Sequence, residues 1–349
     1  MLTPRERVLC ALNHEEPDRV PIFFGTSGVT TMLAPAYDRL KAHLGMSGET
    51  QVFWRALQYS LLDEEVMVRF RSDGRPLIAG AAPTHHPDAG REITATRFVD
   101  GWGITWELRP GNAYYEIVDP PLASATVDDL ATYPWPELGH PSRFTGLKAR
   151  AQAIQQAGYA VVALSGISPF EYAYMLRGVE RWFQDLAGDP EFAAALLRKL
   201  TDLMLAGTHG LLAEAGEHID VIVTGDDLGG QTAPLISPRM YRRVVKPLHA
   251  ELLGAIKQRS QAKIFYHSDG NVYTLLHDLI DIGVDILNPV QVSAGDMGDT
   301  ARLKREFGDR LSFCGAIDTH AVLPHGTTDE VRGEVRRRIR DLAPGGGYI

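Results

Sequence analysis

The sequence predicts an α/β fold, namely a (β/α)8 TIM barrel that carries one antiparallel hairpin insertion. Short apolar runs recur along the 349 residues, and most are separated by roughly 15–40 residues with the 3.6-residue period of amphipathic helices. The composition, 44% hydrophobic and 23% charged, is that of a folded globular chain. Because no Pro/Gly/Ser-rich linker divides it, we expect residues 1–349 to form one domain. An open doubly wound sheet would show a similar alternation and is the alternative.

The chain is predicted to open with a helix and a strand. Thr3 can cap the helix, Pro4 takes the first helical position, and Glu6 completes a Thr-x-x-Glu capping box. Pro17 ends this segment, and the apolar run at 20–24 is predicted to be the first strand.

The later elements follow the same pattern. Strands are predicted near Arg75–Ile78 and at Tyr159–Leu164, Asp220–Thr224, Lys263–Tyr266, Asp285–Asn288, Leu311–Cys314 and Gly347–Ile349. The clearest helices are Pro190–Ala215, capped by Asp189, and Pro238–Gln258, capped by Ser237. The last strand coincides with the last residues given, so we expect no eighth helix after it.

One segment departs from the helix–strand alternation. Thr96–Leu122 alternates apolar and polar residues with period two between Gly and Pro turns, which is typical of antiparallel strands. On a barrel, this insertion near residues 96–122 would cover one rim.

Charge and motif content exclude several classes of function. The chain has 35 Lys+Arg and 44 Asp+Glu, a net charge of −9, and no basic block, which disfavours nucleic-acid binding. Two cysteines, no secretory leader and no apolar run of ~18 residues favour a cytoplasmic protein that does not enter a membrane. A P-loop and a strand-linked G-x-G-x-x-G are absent from the sequence, so ATP and NAD are not expected as cofactors.

Polar residues follow several predicted strands, at the end where barrels build their sites. Asp226 and Asp227 come after Asp220–Thr224 and can bind a metal or stabilise a cation in a reacting substrate. Alternatively, one caps the next turn and the other is solvated. His267 and Asp269 follow Lys263–Tyr266 and, two residues apart on an extended chain, can reach one ion. The alternative is an Asp-Gly turn beside a core histidine.

Further candidates come from other strand ends. Cys314 is a soft metal ligand if it faces the pocket, and a small core residue if it does not. The remaining candidates are expected to bind substrate or, for Tyr174, to assist catalysis: Asp73, Arg75, Ser165, Tyr172, Tyr174, Asn288 and Gln291.

Long stretches of the chain resemble the uroporphyrinogen decarboxylase superfamily. The resemblance lies in TPRERVLCALNHEEPDRVPIFFG, GDDLGGQTAPLISPRMYRRVVKP, FYHSDGN, LLHDLIDIGVDILNPVQ, LKREFGDRLSFCGAIDT and LAPGGGYI. It implies a single-domain (β/α)8 barrel and a homodimer. It also implies one of two activities, either cofactor-free decarboxylation of a tetrapyrrole or zinc-dependent methyl transfer linked to cobalamin.

The chain departs from the sequence pattern of each of the two groups. The decarboxylases carry an arginine-bearing loop after the first strand, whereas residues 25–32 (GTSGVTTM) contain no arginine. The methyltransferases bind zinc through a His-x-Cys pair and a later Cys, whereas here Asp269 replaces the first Cys and Gly345–Gly347 holds none. We therefore expect a mixed zinc site of His267 and Asp269 with one or both of Asp227 and Cys314.

These observations lead to three hypotheses about function. The first is a zinc-dependent methyltransferase or demethylase that acts on a small methylated substrate and passes the methyl group to a corrinoid protein or a thiol. The second is a metal-free decarboxylase in which Asp226 or Asp227 stabilises a protonated pyrrole-like ring and His267 orients the substrate. The third is a barrel that binds a small ligand without catalysis.

Overall fold

The computed structural model describes residues 1–166 and 168–349. Within them the strands are β1 Gln51–Trp54, β2 Tyr59–Leu61, β3 Gly74–Leu77, β4 Glu92–Thr94, β5 Arg97–Val99, β6 Thr105–Glu107, β7 Glu116–Asp119, β8 Ala160–Leu164, β9 Val221–Gly225, β10 Lys263–His267, β11 Ile286–Asn288 and β12 Ser312–Phe313. The α-helices are α1 Pro4–Leu12, α2 Ala34–His43, α3 Glu64–Arg69, α4 Val127–Thr132, α5 Leu147–Gln156, α6 Pro169–Arg177, α7 Val179–Gly188, α8 Pro190–Ala215, α9 Pro238–Met240, α10 Lys246–Lys257, α11 Leu276–Asp281, α12 Thr300–Phe307, α13 Val322–His325 and α14 Thr328–Leu342.

A parallel sheet forms the centre of the molecule, in the order β3-β8-β9-β10-β11-β12. It continues at both edges. Tyr348 forms a parallel bridge with Phe313 beyond β12, and the Asp73 amide donates to the Ile22 carbonyl beyond β3. Parallel pairing with helices between the strands confirms the predicted α/β class.

The inner face of this sheet is a compact apolar cluster. The cluster takes side chains from successive strands and from α1. Its buried members are Val8, Leu12, Ala160, Val162, Val221, Phe265, Ile286, Cys314 and Ile349, and the partly buried Phe23, Val29 and Val223 pack against them. Side chains from the first and last segments of the sheet therefore pack in one interior, as the (β/α)8 barrel requires.

The start of the chain follows the sequence prediction only in part. Thr3 and Glu6 form the predicted capping box of α1. The expected strand at 20–24, however, is not a regular strand. Pro21 has no N–H to donate to a neighbouring strand, so this segment joins the sheet through single contacts such as the Ile22 carbonyl.

The predicted insertion forms an antiparallel sheet in the order β4-β5-β6-β7. It begins at Glu92, a few residues before the predicted start at Thr96. A second antiparallel pair, β1 with β2, was not predicted. The strands of that hairpin are short and the residues between them are not typical turn residues, so the period-two signal is weak.

The long helices agree with the sequence prediction. Asp189 caps α8, which spans the predicted Pro190–Ala215. The helix expected over 238–258 contains a π-helical segment, Tyr241–Val245, between α9 and α10. Pro247 cannot donate to the carbonyl one turn earlier, and this lost bond accounts for the wider turn.

Within residues 1–166 and 168–349, none of the helices combines the length and the apolar character that crossing a membrane would require.

Candidate functional site

The site is built where β9 and β10 end side by side. His267, the last residue of β10, is in register with Gly225 of β9 and with Asn288 of β11. A Cβ atom on Gly225 would lie 2.3 Å from the His267 carbonyl oxygen, so only glycine allows this close approach.

The loops after these two strands are held together by hydrogen bonds and by close contact between their backbones. The Asp226 amide donates to the His267 carbonyl at 3.0 Å, and the Leu228 amide donates to Ser268 Oγ at 2.9 Å. Gly229 and Gly270 then meet so closely that a Cβ on either would lie 2.3–2.4 Å from the other loop. This pairing brings the side chains at 227 and 269 to the same side of His267.

Asp227, His267 and Asp269 form a compact group, whose ligating atoms lie within 4.8 Å of one another. His267 Nε2 is 3.8 Å from Asp227 Oδ1 and 3.9 Å from Asp269 Oδ2. Burial raises the pKa of Asp227 despite the nearby His267, and Asp269 raises it further. A cation bound between these carboxylates would relieve that repulsion.

Asn288 orients the imidazole of this group. The Asn288 amide donates through Nδ2 to the Cys314 carbonyl at 3.1 Å, so its Oδ1 is the atom that faces His267. That oxygen lies 2.7 Å from His267 Nδ1 and accepts its proton. The Nε2 lone pair is thereby directed toward the carboxylates, the arrangement that metal-binding histidines use.

The group therefore suits a divalent metal ion. With bonds of about 2.1 Å, two ligands of a tetrahedral zinc site lie roughly 3.4 Å apart. The observed separations of 3.8 and 3.9 Å exceed this by a few tenths of an ångström. An imidazole and two carboxylates leave a fourth position for a substrate atom, as in catalytic zinc sites.

Asp226, the neighbour of Asp227, has a different role. It is buried and accepts hydrogen bonds from Ser168 Oγ and from the backbone amides of Phe170 and Glu171 at 2.8–3.0 Å. His249 Nε2 donates to its other side at 2.7 Å. Asp226 thus anchors the first turn of α6, and it does not contribute to the cavity described below, in contrast to its predicted catalytic role.

Glu171 is a functional candidate that sequence reasoning missed. Ser168 Oγ lies 2.6 Å from Glu171 Oε2 and 2.9 Å from Asp226 Oδ1. A hydroxyl has a single proton to donate, so one of these carboxyls must be protonated, and Asp226 already accepts from three other donors. Burial and the nearby Asp227 raise the pKa of Glu171 to about 7, which agrees with Glu171 as the protonated partner.

This raised pKa predicts an unusual dependence of stability on pH. Between about pH 4.5 and pH 7 folded Glu171 holds a proton that the unfolded chain has lost, so the unfolding free energy should fall as pH rises through this window. In metal-free protein, Glu171→Gln should stabilise the fold more at pH 8 than at pH 5, by about 1–3 kcal/mol. Urea denaturation at the two pH values measures this difference, and an equal effect at both would refute the assignment.

A cavity of about 590 Å³ opens above the Asp227/His267/Asp269 group. Its floor comes from the ends of β8, β9 and β10 and from the start of α6. The rest of its lining comes from residues 28, 29 and 33, from the β1–β2 hairpin and from the loop between β6 and β7. The aromatic lining residues are Phe53, Trp54, Tyr59, Tyr114 and Tyr172. The predicted insertion thus does reach the rim, through Tyr114.

The ionisable lining of this cavity is acidic. Glu171, Asp227, Asp269 and His267 contribute to it, and no Lys or Arg does so within residues 1–166 and 168–349. The Arg55 guanidinium, which belongs to the β1–β2 hairpin, is stacked on the Phe98 ring at 4.0 Å and paired with Glu92. The cavity is therefore suited to neutral or cationic ligands.

The remaining predicted residues lie at different distances from this cavity. Tyr172 lines it and stacks on Trp102, with ring centroids 4.4 Å apart. Tyr174 hydrogen-bonds to Glu171, and its pKa is raised by burial and by that carboxyl. Ser165 donates to the Val223 carbonyl at 2.8 Å. Gln291 accepts from the Gly270 amide at 2.8 Å, so it supports the loop that carries Asp269.

The structure corrects the placement of Cys314, Asp73 and Arg75. Cys314 lies in the apolar interior and is absent from the Asp227/His267/Asp269 group, and burial raises its pKa to about 12. Asp73 precedes β3 and is buried between Arg7 and Arg19, at 2.7 and 2.8 Å. Arg75 pairs with Glu64 beside it. These ion pairs lie at the amino end of β3, opposite the end at which barrels bind substrates.

Comparison with known proteins supports this reading of the fold. The family model described as uroporphyrinogen decarboxylase (URO-D) matches residues 101–349. The chain belongs to the uroporphyrinogen decarboxylase family. This confirms the resemblance seen in the sequence.

Two proteins that are similar to this chain come from Methanosarcina mazei. A methylated-thiol–coenzyme M methyltransferase is 28% identical over 173 residues, which cover 49% of this chain and 43% of that protein. The match therefore spans less than half of the relative's length. The second is a methyltransferase of known structure. Its superposition covers 99% of this chain and 91% of the methyltransferase chain, with a TM-score of 0.62 and 18% sequence identity, which establishes a shared fold.

Proposed function

We propose that this member of the uroporphyrinogen decarboxylase family is a zinc-dependent methyltransferase. It would take a methyl group from a small methylated compound and pass it to a corrinoid, free or on a partner protein, or to a thiol. The observation that carries the proposal is the convergence of Asp227, His267 and Asp269 on the floor of one cavity. The similarity to a methylated-thiol–coenzyme M methyltransferase supports the same class of reaction.

Asp227, His267 and Asp269 would hold the metal, and Asn288 would keep the imidazole in the required tautomer. When bound, zinc supplies a Lewis acid that lowers the pKa of a thiol or polarises the atom that carries the methyl group. The aromatic wall would exclude water and orient the methyl donor beside the acceptor. Glu171, whose pKa is about 7, would take up the proton of an acceptor thiol or donate a proton to a leaving group.

The cavity gives less support to tetrapyrrole decarboxylation. A substrate with several carboxylates would enter a space lined by Glu171, Asp227 and Asp269, and no Lys or Arg of the described lining would neutralise it. Asp226, which the decarboxylase hypothesis uses as a stabilising group, is already satisfied by His249 and the start of α6.

A methyl-transfer assay tests the proposal. Zinc-loaded protein is mixed with cob(I)alamin, or with coenzyme M as a thiol acceptor, and with methylated thiols, amines and aromatic ethers as donors. We expect methylcobalamin or the methylated thiol to form, and Asp227→Asn to lose this activity. Asp296→Asn, which changes a half-exposed carboxylate elsewhere, should retain it.

Two results would contradict the proposal. Release of carbon dioxide from uroporphyrinogen without added metal would assign the chain to the decarboxylases instead. Binding of methylated compounds, seen as thermal stabilisation, with no methyl transfer to any acceptor would indicate a non-catalytic ligand-binding barrel.

A further inference from the structure

Part of the lining of the cavity is aromatic. Phe53, Trp54 and Tyr59 project from the β1–β2 hairpin, with the Tyr59 ring 6.0 Å from that of Phe53 and 5.6 Å from that of Trp54, between centroids. A Cβ on Gly28 would lie 2.6 Å from the Tyr59 ring, so the residue at 28 leaves room for that ring. Tyr114 also lines the cavity.

The hairpin wall lies within electrostatic reach of the carboxylates. Burial raises the pKa of the Tyr59 hydroxyl, and the charges of Glu171, Asp227 and Asp269 raise it further. A divalent ion on Asp227 and Asp269 would balance those two charges. The Glu171 carboxyl, which is deprotonated above about pH 7, would then have no cationic partner from Lys or Arg in the described lining. Aromatic faces next to an unbalanced carboxyl are the surroundings that bind organic cations.

We propose that the methyl donor is a methyl-onium compound, a quaternary ammonium or sulfonium ion, held between the aromatic hairpin and Glu171. This inference rests on the proposed function, whose substrate class it names. The quaternary ammonium donor would lose its C–N bond, with the electron pair remaining on nitrogen to give a neutral tertiary amine. Its methyl carbon would bond to the nucleophilic acceptor, a thiolate or a reduced corrinoid, and no further proton or oxidant is needed.

The volume of the cavity agrees with such a ligand. About 590 Å³ accommodates a small onium ion together with part of an acceptor. An anionic donor would face the same carboxylates with no compensating Lys or Arg in the described lining, so the cavity disfavours it.

The test compares choline with its neutral isostere 3,3-dimethyl-1-butanol and with the anion 3,3-dimethylbutanoate. Isothermal titration calorimetry is run on zinc-loaded and on metal-free protein without any acceptor. We expect choline to bind at least about tenfold more tightly than the isostere, and the anion to bind most weakly. Isostere binding equal to or tighter than that of choline, or preferred binding of the anion, would overturn the proposal.

Substitutions in the cavity test which residues bind the cation. Glu171→Gln and Trp54→Leu should each weaken choline binding about tenfold or more and leave isostere binding changed far less. Val52→Ala, on the same hairpin but outside the cavity lining, is the matched control and should bind choline as the wild type does. Equal losses for choline and the isostere in Glu171→Gln would contradict the assignment of Glu171.

The binding test can refute the onium substrate independently of the proposed methyltransferase activity. Because binding is measured without an acceptor and also without metal, an absence of methyl transfer or of zinc leaves the choline preference intact. Conversely, methyl transfer from neutral donors with no preference for choline would retain the methyltransferase and remove the onium substrate.

Discussion

Replacing His267 with alanine is expected to remove the metal and to lower methyl transfer about a thousandfold, since the imidazole is the one nitrogen ligand of the Asp227/His267/Asp269 group. Metal content after dialysis against limiting zinc and the rate of methylation of cob(I)alamin measure the two effects. His277→Ala is the matched control because that imidazole is exposed on α11. It should keep both properties.

A smaller loss of metal affinity is expected when the hydrogen-bond partner of His267 is replaced. Asn288→Leu removes the oxygen that accepts from His267 Nδ1, and metal affinity should fall about 10–100-fold while the ligands remain. A His267→Ala protein that retains one zinc per chain would show that the ion is bound elsewhere. Full affinity in Asn288→Leu would show that the tautomer of His267 does not depend on this contact.

The second large effect is a difference in stability between variants of two adjacent residues, Asp226 and Asp227. Asp226→Ala should lower the unfolding free energy by about 3–5 kcal/mol, because it leaves buried His249 and the amides of Phe170 and Glu171 without their acceptor. Asp227→Ala should be neutral or stabilising at neutral pH, since burial already disfavours its charge. Yet Asp227→Ala is the variant that should lose the metal.

Urea denaturation of the metal-free variants measures this contrast. Performing it without metal keeps the stabilisation that a bound ion provides out of the comparison. If Asp227→Ala proved the more destabilising substitution, the roles given to the two residues would be reversed. If both variants kept the wild-type stability, the anchoring of α6 by Asp226 would be incorrect.

The sequence was sufficient to predict the alternation of strands and helices because apolar periodicity and caps are local signals. Asp189 before α8 and Thr3 before α1 are examples. The first strand segment was less predictable. Its apolar residues indicate a strand, but Pro21 limits the hydrogen bonds that it can form.

The convergence of Asp227, His267 and Asp269 was predictable because it depends on strand ends. His267 and Asp269 follow β10, Asp227 follows β9, and parallel strands bring their carboxyl ends to one rim. Asp73 shows the limit of that reasoning. It lies just before β3 starts at Gly74, and it also precedes the predicted strand near Arg75–Ile78, so closeness to a strand did not show that a residue lies at its carboxyl end.

Glu171 was hidden by an ordinary local pattern. Ser168-x-x-Glu171 at the start of α6 has the form of a capping box, which by itself explains a glutamate at that position. The functional signal is tertiary. Asp226 holds the amides of this turn, and the same turn presents Glu171 to a cavity whose lining also comes from the distant β1–β2 hairpin.

The most direct test of the metal-site assignment is anomalous diffraction at the zinc absorption edge from crystals of the zinc-loaded protein. We predict one peak between His267, Asp227 and Asp269, about 2 Å from His267 Nε2. A zinc peak on other residues, or its absence from this group at full zinc occupancy of the protein in solution, would contradict the assignment.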